Sequence, residues 1–312
     1  MKKVVVLGGS AGGIHALQCV LKGMPTDFPA PLLAVIHISE RANCLAEVIQ
    51  SASALKIIDP VKPTPLRSGN VYLAPANRHL VVKSGCAVAV MGPRENRHRP
   101  SVDTLFRSAA RAYRRSVVAV VLSGALDDGA AGALAVKARG GMVIVQDPEE
   151  AEVPDMPRNV MKQLKPDRCL TLDQMPGALA KLAAAGTPEL PEVPNGDCAL
   201  AAETAVAKQD EPLAFTCPEC GGALLQTQDG KRLQWRCHVG HRFSLESFSE
   251  AHADAVERAL WVALRKLRER QSIHEQLARN ADMPADMRRR FKENGAAAAG
   301  DIKLLEEVMT RL

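Results

Sequence analysis

The sequence predicts an α/β fold in which a doubly wound, mostly parallel sheet carries helices on both faces. Two smaller parts follow it, a module rich in cysteine and histidine and a C-terminal helical hairpin. Apolar runs alternate with helical patterns over residues 1–185, and fully apolar strands are typical of parallel sheets that are covered on both faces. Cysteine and histidine residues cluster between 217 and 241, and apolar residues recur at helical spacing from 247 onward.

Composition places the chain among soluble globular proteins, since 46% of its 312 residues are hydrophobic and 24% are charged. No apolar run approaches the roughly 20 residues of a membrane span. The N-terminus leads directly into a first strand and lacks the features of a signal peptide, so we expect a cytoplasmic protein with no membrane insertion. A net charge of +5 and an aromatic content of 3% give no basis for a nucleic-acid partner.

The predicted elements alternate along the first domain. Strands are expected at 4–7, 32–36, 71–74, 79–82, 87–91, 117–122 and 142–146, and helices at 13–22, 44–53, 102–113, 130–139 and 176–184. The short strands between 71 and 91 are closely spaced, which predicts a local antiparallel hairpin.

Changes in composition predict four parts. The α/β domain occupies residues 1–185, and a linker rich in proline, glutamate and alanine occupies 186–213. The module follows at 214–246. The helical tail at 247–312 is interrupted before Pro284, which is expected to start its second helix.

The first turn, residues 8–13 (GGSAGG), connects an apolar strand to a helix. Glycine pairs permit a tight turn, and Ser10 between them lies beside the free N–H groups of a helix N-terminus. Such a serine is placed as a nucleophile with part of an oxyanion site. A dinucleotide-binding turn requires glycine at this position, and a P-loop requires Gly-Lys-Ser/Thr, so both nucleotide-binding interpretations are disfavoured.

Two further strand ends carry polar residues. His37 follows the second strand, where a dinucleotide-binding fold has an acidic residue. Asp127 and Asp128 follow the strand at 117–122 and precede a helix, so one of them can be an N-cap and the other can orient a histidine. A structural role is the ordinary interpretation of each residue alone. Together with Ser10 at the same sheet edge, they match a Ser-His-Asp triad.

Several segments resemble the bacterial chemotaxis protein-glutamate methylesterases, over residues 1–183. The matching segments are 8–13, 35–37, 99–106 (RPSVDTLF), 121–132 (VLSGALDDGAAG) and 146–148 (QDP). The resemblance implies a doubly wound α/β serine hydrolase. In the family's arrangement Ser10 is the nucleophile, His37 the base and Asp128 the orienting acid.

The resemblance also implies an oxyanion hole made by the backbone N–H groups of Ala11 and Ala125. Asp127 falls where the family usually has asparagine, which favours Asp128 as the acid. The implied reaction is hydrolysis of glutamate methyl esters on a chemoreceptor-like protein through an acyl-enzyme, with glutamine deamidation as a related activity. No cofactor is implied for catalysis.

Two features differ from the better-known members of this family. The chain starts at the catalytic domain, so we expect the stand-alone subgroup that lacks a receiver domain. Residues 92–99 (GPRENRHR) also resemble that subgroup. The basic side chains of this stretch, Arg94 and Arg97 among them, are interpreted either as a solvated loop or as a rim that attracts acidic receptor helices.

The module carries a metal-ligand pattern, C-x₂-C followed by C-x₃-H. The four ligands expected are Cys217, Cys220, Cys237 and His241, with His238 as the alternative fourth ligand. Four protein ligands suit a structural, tetrahedral Zn²⁺, so we expect a zinc-ribbon-like module. A redox CxxC pair or a chance spacing is the competing interpretation.

The tail combines apolar residues such as Trp261 and Leu264 with charged neighbours. This pattern predicts either an amphipathic helix packed on its partner helix or a surface that binds other signalling proteins. The alternative to an enzyme is therefore a non-catalytic regulatory protein that acts through the zinc module and the tail.

Overall fold

A computed structural model describes residues 3–38, 45–185, 211–229 and 232–311. Most of the predicted linker, 186–210, lies outside these residues. The contacts divide the chain into two compact units, Met1–Ser247 and Phe248–Leu312.

The first unit is built on a seven-stranded parallel sheet. Its strands are β1 (Val4–Gly9), β2 (Leu32–Ile36), β3 (Lys56–Ile58), β5 (Asn70–Leu73), β8 (Val117–Val121), β9 (Met142–Gln146) and β10 (Arg168–Leu170). They lie in the order β10-β9-β8-β1-β2-β5-β3, and every pairing is parallel. Strands β1, β2 and β8 are buried along their whole length, as their continuous apolar sequences predict.

Helices cover both faces of this sheet. They are α1 (Gly13–Lys22), α2 (Leu45–Gln50), α3 (Val102–Tyr113), α4 (Ala130–Ala138), α5 (Asp155–Gln163) and α6 (Met175–Ala184). Successive β1 residues point to opposite faces, so Val6 joins a core that includes Phe106 of α3, whereas Leu7 joins a core that includes Leu17 of α1. The two cores confirm the predicted doubly wound fold.

A small antiparallel sheet accompanies the main one. It consists of β4 (Thr64–Pro65), β7 (Cys86–Val90) and β6 (His79–Lys83), in that order. The β6–β7 pair is the predicted antiparallel hairpin, whereas the strand expected at 71–74 is β5 of the parallel sheet. Strands β3, β4 and β10 and helix α5 have no counterpart among the elements expected from the sequence.

The cysteine- and histidine-rich module forms a four-stranded antiparallel sheet. Its strands, in spatial order, are β11 (Glu211–Thr216), β12 (Ala223–Asp229), β13 (Arg232–Cys237) and β14 (Arg242–Phe243). β11 begins at Glu211, so it starts inside the segment expected as a linker, 186–213. The module belongs to the same compact unit as the parallel sheet.

Two long helices account for the C-terminus, α7 (Leu245–Arg279) and α8 (Ala285–Met309), as predicted. Pro284 is the N-cap of α8, where its missing N–H costs no helix hydrogen bond. An ion pair between Arg268 and Glu306 joins the two helices at 2.7 Å. Among the described residues, none of the helices combines the length and apolar character needed to cross a membrane.

Candidate active site

Ser10 lies in the turn between β1 and α1. The Gly13 N–H donates to the Ser10 carbonyl at 2.8 Å, and Gly12 between them has a φ of 74°. This left-handed conformation is readily adopted by glycine, which explains why the sequence has one there. The turn therefore places Ser10 at the carboxyl end of β1, immediately before the helix.

Neighbouring strands bring the other predicted residues to the same edge. β1 lies between β2 and β8; the His37 N–H donates to the Gly9 carbonyl at 3.0 Å, and the Ser10 N–H donates to the Ser123 carbonyl at 2.9 Å. A Cβ atom at Gly124 would lie 2.8 Å from the Ser10 Cβ. The close approach of the chain after β8 to Ser10 thus requires glycine.

His37 and Asp128 form a buried hydrogen-bonded pair. The His37 Nε2 lies 2.9 Å from the Asp128 Oδ2, and their side chains are 6% and 1% exposed. The other ring nitrogen, Nδ1, is buried and has no hydrogen-bond partner in the described part of the chain. With Nε2–H donated to the carboxylate, Nδ1 carries the lone pair that can accept a proton. This hydrogen bond is the contact expected between the predicted base and the predicted orienting acid. The Ser10 hydroxyl is not hydrogen-bonded to the His37 Nδ1.

The Asp128 carboxylate also receives donors from the N-terminus of α3. Its five donors are the His37 ring, the Asn96 amide, the Ser101 hydroxyl and the backbone N–H groups of Val102 and Asp103, at 2.7–3.2 Å. Burial raises the pKa of Asp128, but the hydrogen bond and charge of His37 and the Val102 N–H outweigh it and hold the pKa well below its usual range. Asp128 is therefore ionised and fixed in position.

A second buried aspartate, Asp103, makes the reciprocal contact. It lies in the first turn of α3, and its Oδ1 accepts from the N–H groups of Gly129 and Gly132, at 3.0 and 2.6 Å, at the start of α4. Asp128, which precedes α4, in turn accepts from the start of α3. Each helix thus supplies the acid that satisfies the other's free N–H groups.

The loop 92–99 lies against His37. The His98 ring stacks on the His37 ring with a centroid distance of 3.6 Å and an angle of 14°. Burial, with the neighbouring His37, lowers the pKa of His98 to about 4, so His98 is neutral at pH 7. A neutral ring supports the position of His37 without repelling a positive charge that forms on it.

The same loop is more than the solvated segment that its basic composition suggests. The Arg99 guanidinium donates to the Asn77 Oδ1 at 2.6 and 2.8 Å and to the Gly92 carbonyl at 2.6 Å. Arg94 and Arg97 are half-buried. The solvated-loop interpretation is wrong because these contacts and the His98 stack make the loop part of the wall of the site. The receptor-attracting rim stays a prediction.

Both predicted oxyanion donors have free backbone N–H groups. The Ala11 and Ala125 amides have no hydrogen-bond acceptor among the described residues. Ala11 is exposed and Ala125 is half-buried. Both amides are therefore available to a substrate oxygen.

Sequence reasoning did not single out Asn96, Ser101 or Asp103 as functional residues. Ser101 and Asp103 lie within the segment 99–106 that carries the family resemblance, and Ser101 is also recognisable as the N-cap of α3. Asn96 lies within residues 92–99, whose resemblance to the stand-alone subgroup does not mark it as functional. Its role is visible only from its contacts.

The four predicted metal ligands come together at one end of the module. Their ligand atoms all lie within 4.8 Å of one another. The Cys220 and Cys237 Sγ atoms are 3.6 Å apart, and the His241 Nδ1 is 3.7 Å from the Cys217 Sγ and 3.4 Å from the Cys237 Sγ. Zn–S and Zn–N bond lengths imply ligand separations of about 3.5–3.8 Å around a tetrahedral ion. The residues therefore fit zinc, and His241 rather than His238 belongs to this cluster.

Comparison with known proteins identifies the family. The sequence profile described as CheB methylesterase matches residues 5–179. The chain belongs to the CheB methylesterase family. The matched segment contains Ser10, His37 and Asp128, whereas the cysteine- and histidine-rich module and the helical tail lie outside it.

Individual relatives agree with this assignment. A protein-glutamate methylesterase/protein-glutamine glutaminase of Anaeromyxobacter dehalogenans is 41% identical over 181 residues, which are 58% of this chain and 53% of the relative. A putative enzyme of the same name from Leptospira interrogans is 35% identical over 175 residues, 55% of this chain and 91% of the relative. This chain thus spans about half the length of the first relative and most of the second.

A solved structure has the same CheB fold. The crystal structure of the Thermotoga maritima CheB methylesterase catalytic domain shares 33% sequence identity, with a TM-score of 0.54. The likeness covers 58% of this chain and 99% of that domain.

Proposed function

We propose that this protein is a serine hydrolase that removes methyl groups from glutamate methyl esters on a chemoreceptor-like protein. The observation that carries the proposal is the buried His37–Asp128 hydrogen bond at the sheet edge that also holds Ser10. Its position within a CheB methylesterase segment supports the same substrate class.

In the acylation step, the Ser10 Oγ attacks the ester carbonyl carbon while the His37 Nδ1 accepts its proton. Asp128 stabilises the imidazolium that forms and keeps the ring in position. The Ala11 and Ala125 N–H groups bind the developing oxyanion, an effect of about 3 kcal/mol per donor in other hydrolases. His37 then returns the proton to the departing methoxide, so methanol leaves and the glutamyl group remains on Ser10.

In the deacylation step, water attacks the acyl-enzyme while His37 accepts a proton from it. Collapse of the second tetrahedral intermediate releases the glutamic acid side chain while His37 returns its proton to Ser10, and the new carboxyl group then loses its own proton to solvent. A glutamine side chain enters the same cycle with ammonia as the leaving group, which accounts for the second activity in the names of the relatives. Catalysis in this scheme uses no cofactor.

We assign a structural Zn²⁺ to Cys217, Cys220, Cys237 and His241, because four protein ligands close a tetrahedral site. The cysteines among the described residues form no disulfide bond, which suits a reducing compartment, so we place the protein in the cytoplasm. The exposed apolar residues of α7, Trp261 and Val262 among them, support a role for the tail in binding other signalling proteins.

Methanol release from a methyl-esterified receptor-helix peptide tests the proposal. We expect the unmodified protein to release methanol and the Ser10→Ala variant to lose at least about a thousandfold in rate. The control is Ser68→Ala, because this exposed hydroxyl donates to the Pro29 carbonyl, away from the sheet edge. A protein that binds the peptide but releases no methanol would instead be the non-catalytic regulator.

A further inference from the structure

The cysteine- and histidine-rich module contacts the active-site loop through backbone hydrogen bonds. The Asn96 N–H donates to the Arg242 carbonyl at 2.8 Å, and the Arg242 N–H donates to the Arg94 carbonyl at 3.3 Å. Arg242 directly follows the metal-site residue His241. The segment that directly follows the predicted metal ligands therefore pairs with loop 92–99. This is the loop that contains His98, whose ring stacks on the His37 ring.

Two serines that follow β14 extend this contact into a buried polar cluster. The Ser244 N–H and the Ser247 hydroxyl donate to the Asn96 Oδ1, at 3.2 and 3.3 Å. The Ser244 hydroxyl donates to the Asp127 Oδ1 at 2.9 Å. All four residues are buried. Because buried polar groups are costly to leave unsatisfied, this cluster is a specific junction.

Asn96 also contacts the predicted catalytic acid, Asp128. Its Nδ2 donates to the Asp128 Oδ1 at 3.2 Å and to the Asp103 Oδ2 at 2.9 Å. The Asn96 side-chain oxygen thus accepts from the two serines, and its side-chain nitrogen donates to the two aspartates that cap α3 and α4. With both ends occupied, the amide has one orientation, and that orientation supplies a donor to Asp128.

The Glu95 carboxylate makes charge contacts with the elements on both sides of loop 92–99. The Glu95 carboxylate pairs with Arg107 of α3 and lies 4.0 Å from the Arg242 Nε. Burial raises the pKa of Glu95, but the charges of Arg107 and Arg242 outweigh it and lower the pKa. The loop is therefore held between helix α3 and strand β14 by charge as well as by hydrogen bonds.

We propose that the metal-binding module is a positioning element of the active site: Arg242, Ser244 and Ser247 hold Asn96, which fixes the Asp128 carboxylate against His37. The inference rests on the proposed function of Asp128 as the orienting acid. The metal contributes because His241 is adjacent to Arg242, so loss of the metal frees the strand that pairs with the loop. The module lies outside the CheB methylesterase match, so this support is an addition to the catalytic domain.

The first test removes the serine donors from the full chain. In the double variant Ser244→Ala/Ser247→Ala, we expect kcat for the methyl-ester peptide to fall about tenfold or more, with KM unchanged. Labelling of Ser10 by a fluorophosphonate should slow by the same factor. The control is Thr227→Ala, which loses a hydrogen bond to the Gln234 carbonyl within the module. Zinc content should be equal in all three proteins.

The second test removes the metal and keeps the sequence. We expect chelation of the zinc-loaded full chain to slow fluorophosphonate labelling of Ser10 about tenfold, and added Zn²⁺ to restore it. Labelling at the wild-type rate in both the metal-free protein and the double variant would overturn the proposal.

An NMR measurement separates this proposal from the proposed function. The His37 Nε2–H proton bonded to Asp128 gives a downfield resonance whether or not the protein turns over substrate. If Ser10 of the wild type is not labelled, the proposed function fails, and the resonance still decides the positioning role. Its loss in the double variant supports the role, and its persistence unchanged contradicts it.

Discussion

The sheet edge and the cysteine- and histidine-rich module hold their residues in place by different means. At the edge, three fully buried parallel strands and two helix starts surround His37 and Asp128. In the module, the buried apolar residues among those described, apart from the ligand cysteines, are Leu224 and Phe243. The edge is therefore stabilised by burial and helix capping, whereas we infer that the module depends on the proposed Zn²⁺ for its stability.

Mutations in the two regions should therefore have different effects. A change at the edge should affect chemistry while the surrounding core keeps the fold. A change at the proposed metal site should unfold the module and reach the chemistry through the junction with loop 92–99, which includes Asn96. Four predictions, taken from the largest expected effect to the smallest, separate these two behaviours.

The largest effect is expected from loss of a metal ligand. Replacement Cys237→Ser should abolish zinc binding and unfold the module, because structural zinc sites contribute on the order of 10 kcal/mol of apparent binding free energy. Hydrogen exchange should show loss of protection in β12 and β13 with protection retained in β1 and β8. Full protection of the module in the zinc-free variant would contradict this role of the metal.

The second prediction compares the two capping aspartates. Asp128→Asn should lower kcat by about 10⁴-fold, as loss of the orienting acid does in other triads. Asp103→Asn alters a similarly buried cap without touching His37, so it should lower the free energy of unfolding with a much smaller loss of kcat. Kinetics and urea unfolding of both variants check this. Equal losses of kcat would show that Asp128 acts only as a helix cap.

The third prediction concerns the close approach at Gly124. A Cβ there would overlap the Met156 Sδ and lie 2.8 Å from the Ser10 Cβ, so Gly124→Ala should destabilise the protein by about 3 kcal/mol and displace Ser10. At Gly177 of α6, a Cβ would meet no described heavy atom within 4 Å. The control Gly177→Ala should be neutral or stabilising, by up to about 1 kcal/mol. Thermal unfolding and Ser10 labelling measure both effects.

The smallest effect is a pH dependence from His98. Its folded-state pKa of about 4 lies below its ordinary value of 6.5, so unfolding takes up a proton between these values. The stabilising contribution is full above pH 6.5 and decreases as the pH falls towards 4, by about 2 kcal/mol between about pH 7 and 5. His98→Phe keeps a stacked ring without titrating. Its urea midpoint should therefore fall less than that of the wild type over this range, and an equal fall would exclude His98 as the cause.

The strand ends are the part of the site that can be predicted from the sequence. Apolar runs and the glycine turn locate Ser10 and His37, and the family resemblance selects Asp128 over Asp127. Strand β3 (Lys56–Ile58) escapes prediction because three residues, one of them charged, show no strand pattern. Helix α5 escapes it because the helix contains Pro157, which is tolerated in the first turn.

The contacts between the module and loop 92–99 could not be predicted from the sequence. Ser244 lies 148 residues from Asn96. Asn96 belongs to segment 92–99 and Ser244 to the module, but no motif or periodic pattern pairs the two residues. Isolated serines and asparagines are usually solvent-exposed, so nothing in their local sequence indicates burial. Similarly, the basic composition of loop 92–99 predicts a solvated or substrate-facing surface, whereas His98 packs on His37. The burial of these residues and the packing of His98 both depend on contacts between segments that are distant in sequence.

Peptide mapping after fluorophosphonate treatment of the full zinc-loaded chain decides whether Ser10 is the nucleophile. A serine activated by His37 and Asp128 predicts one covalent adduct, on Ser10, whose formation slows by orders of magnitude in Asp128→Asn. A folded, zinc-loaded protein that releases methanol from the peptide but carries no adduct on Ser10 would show that the reaction uses another group.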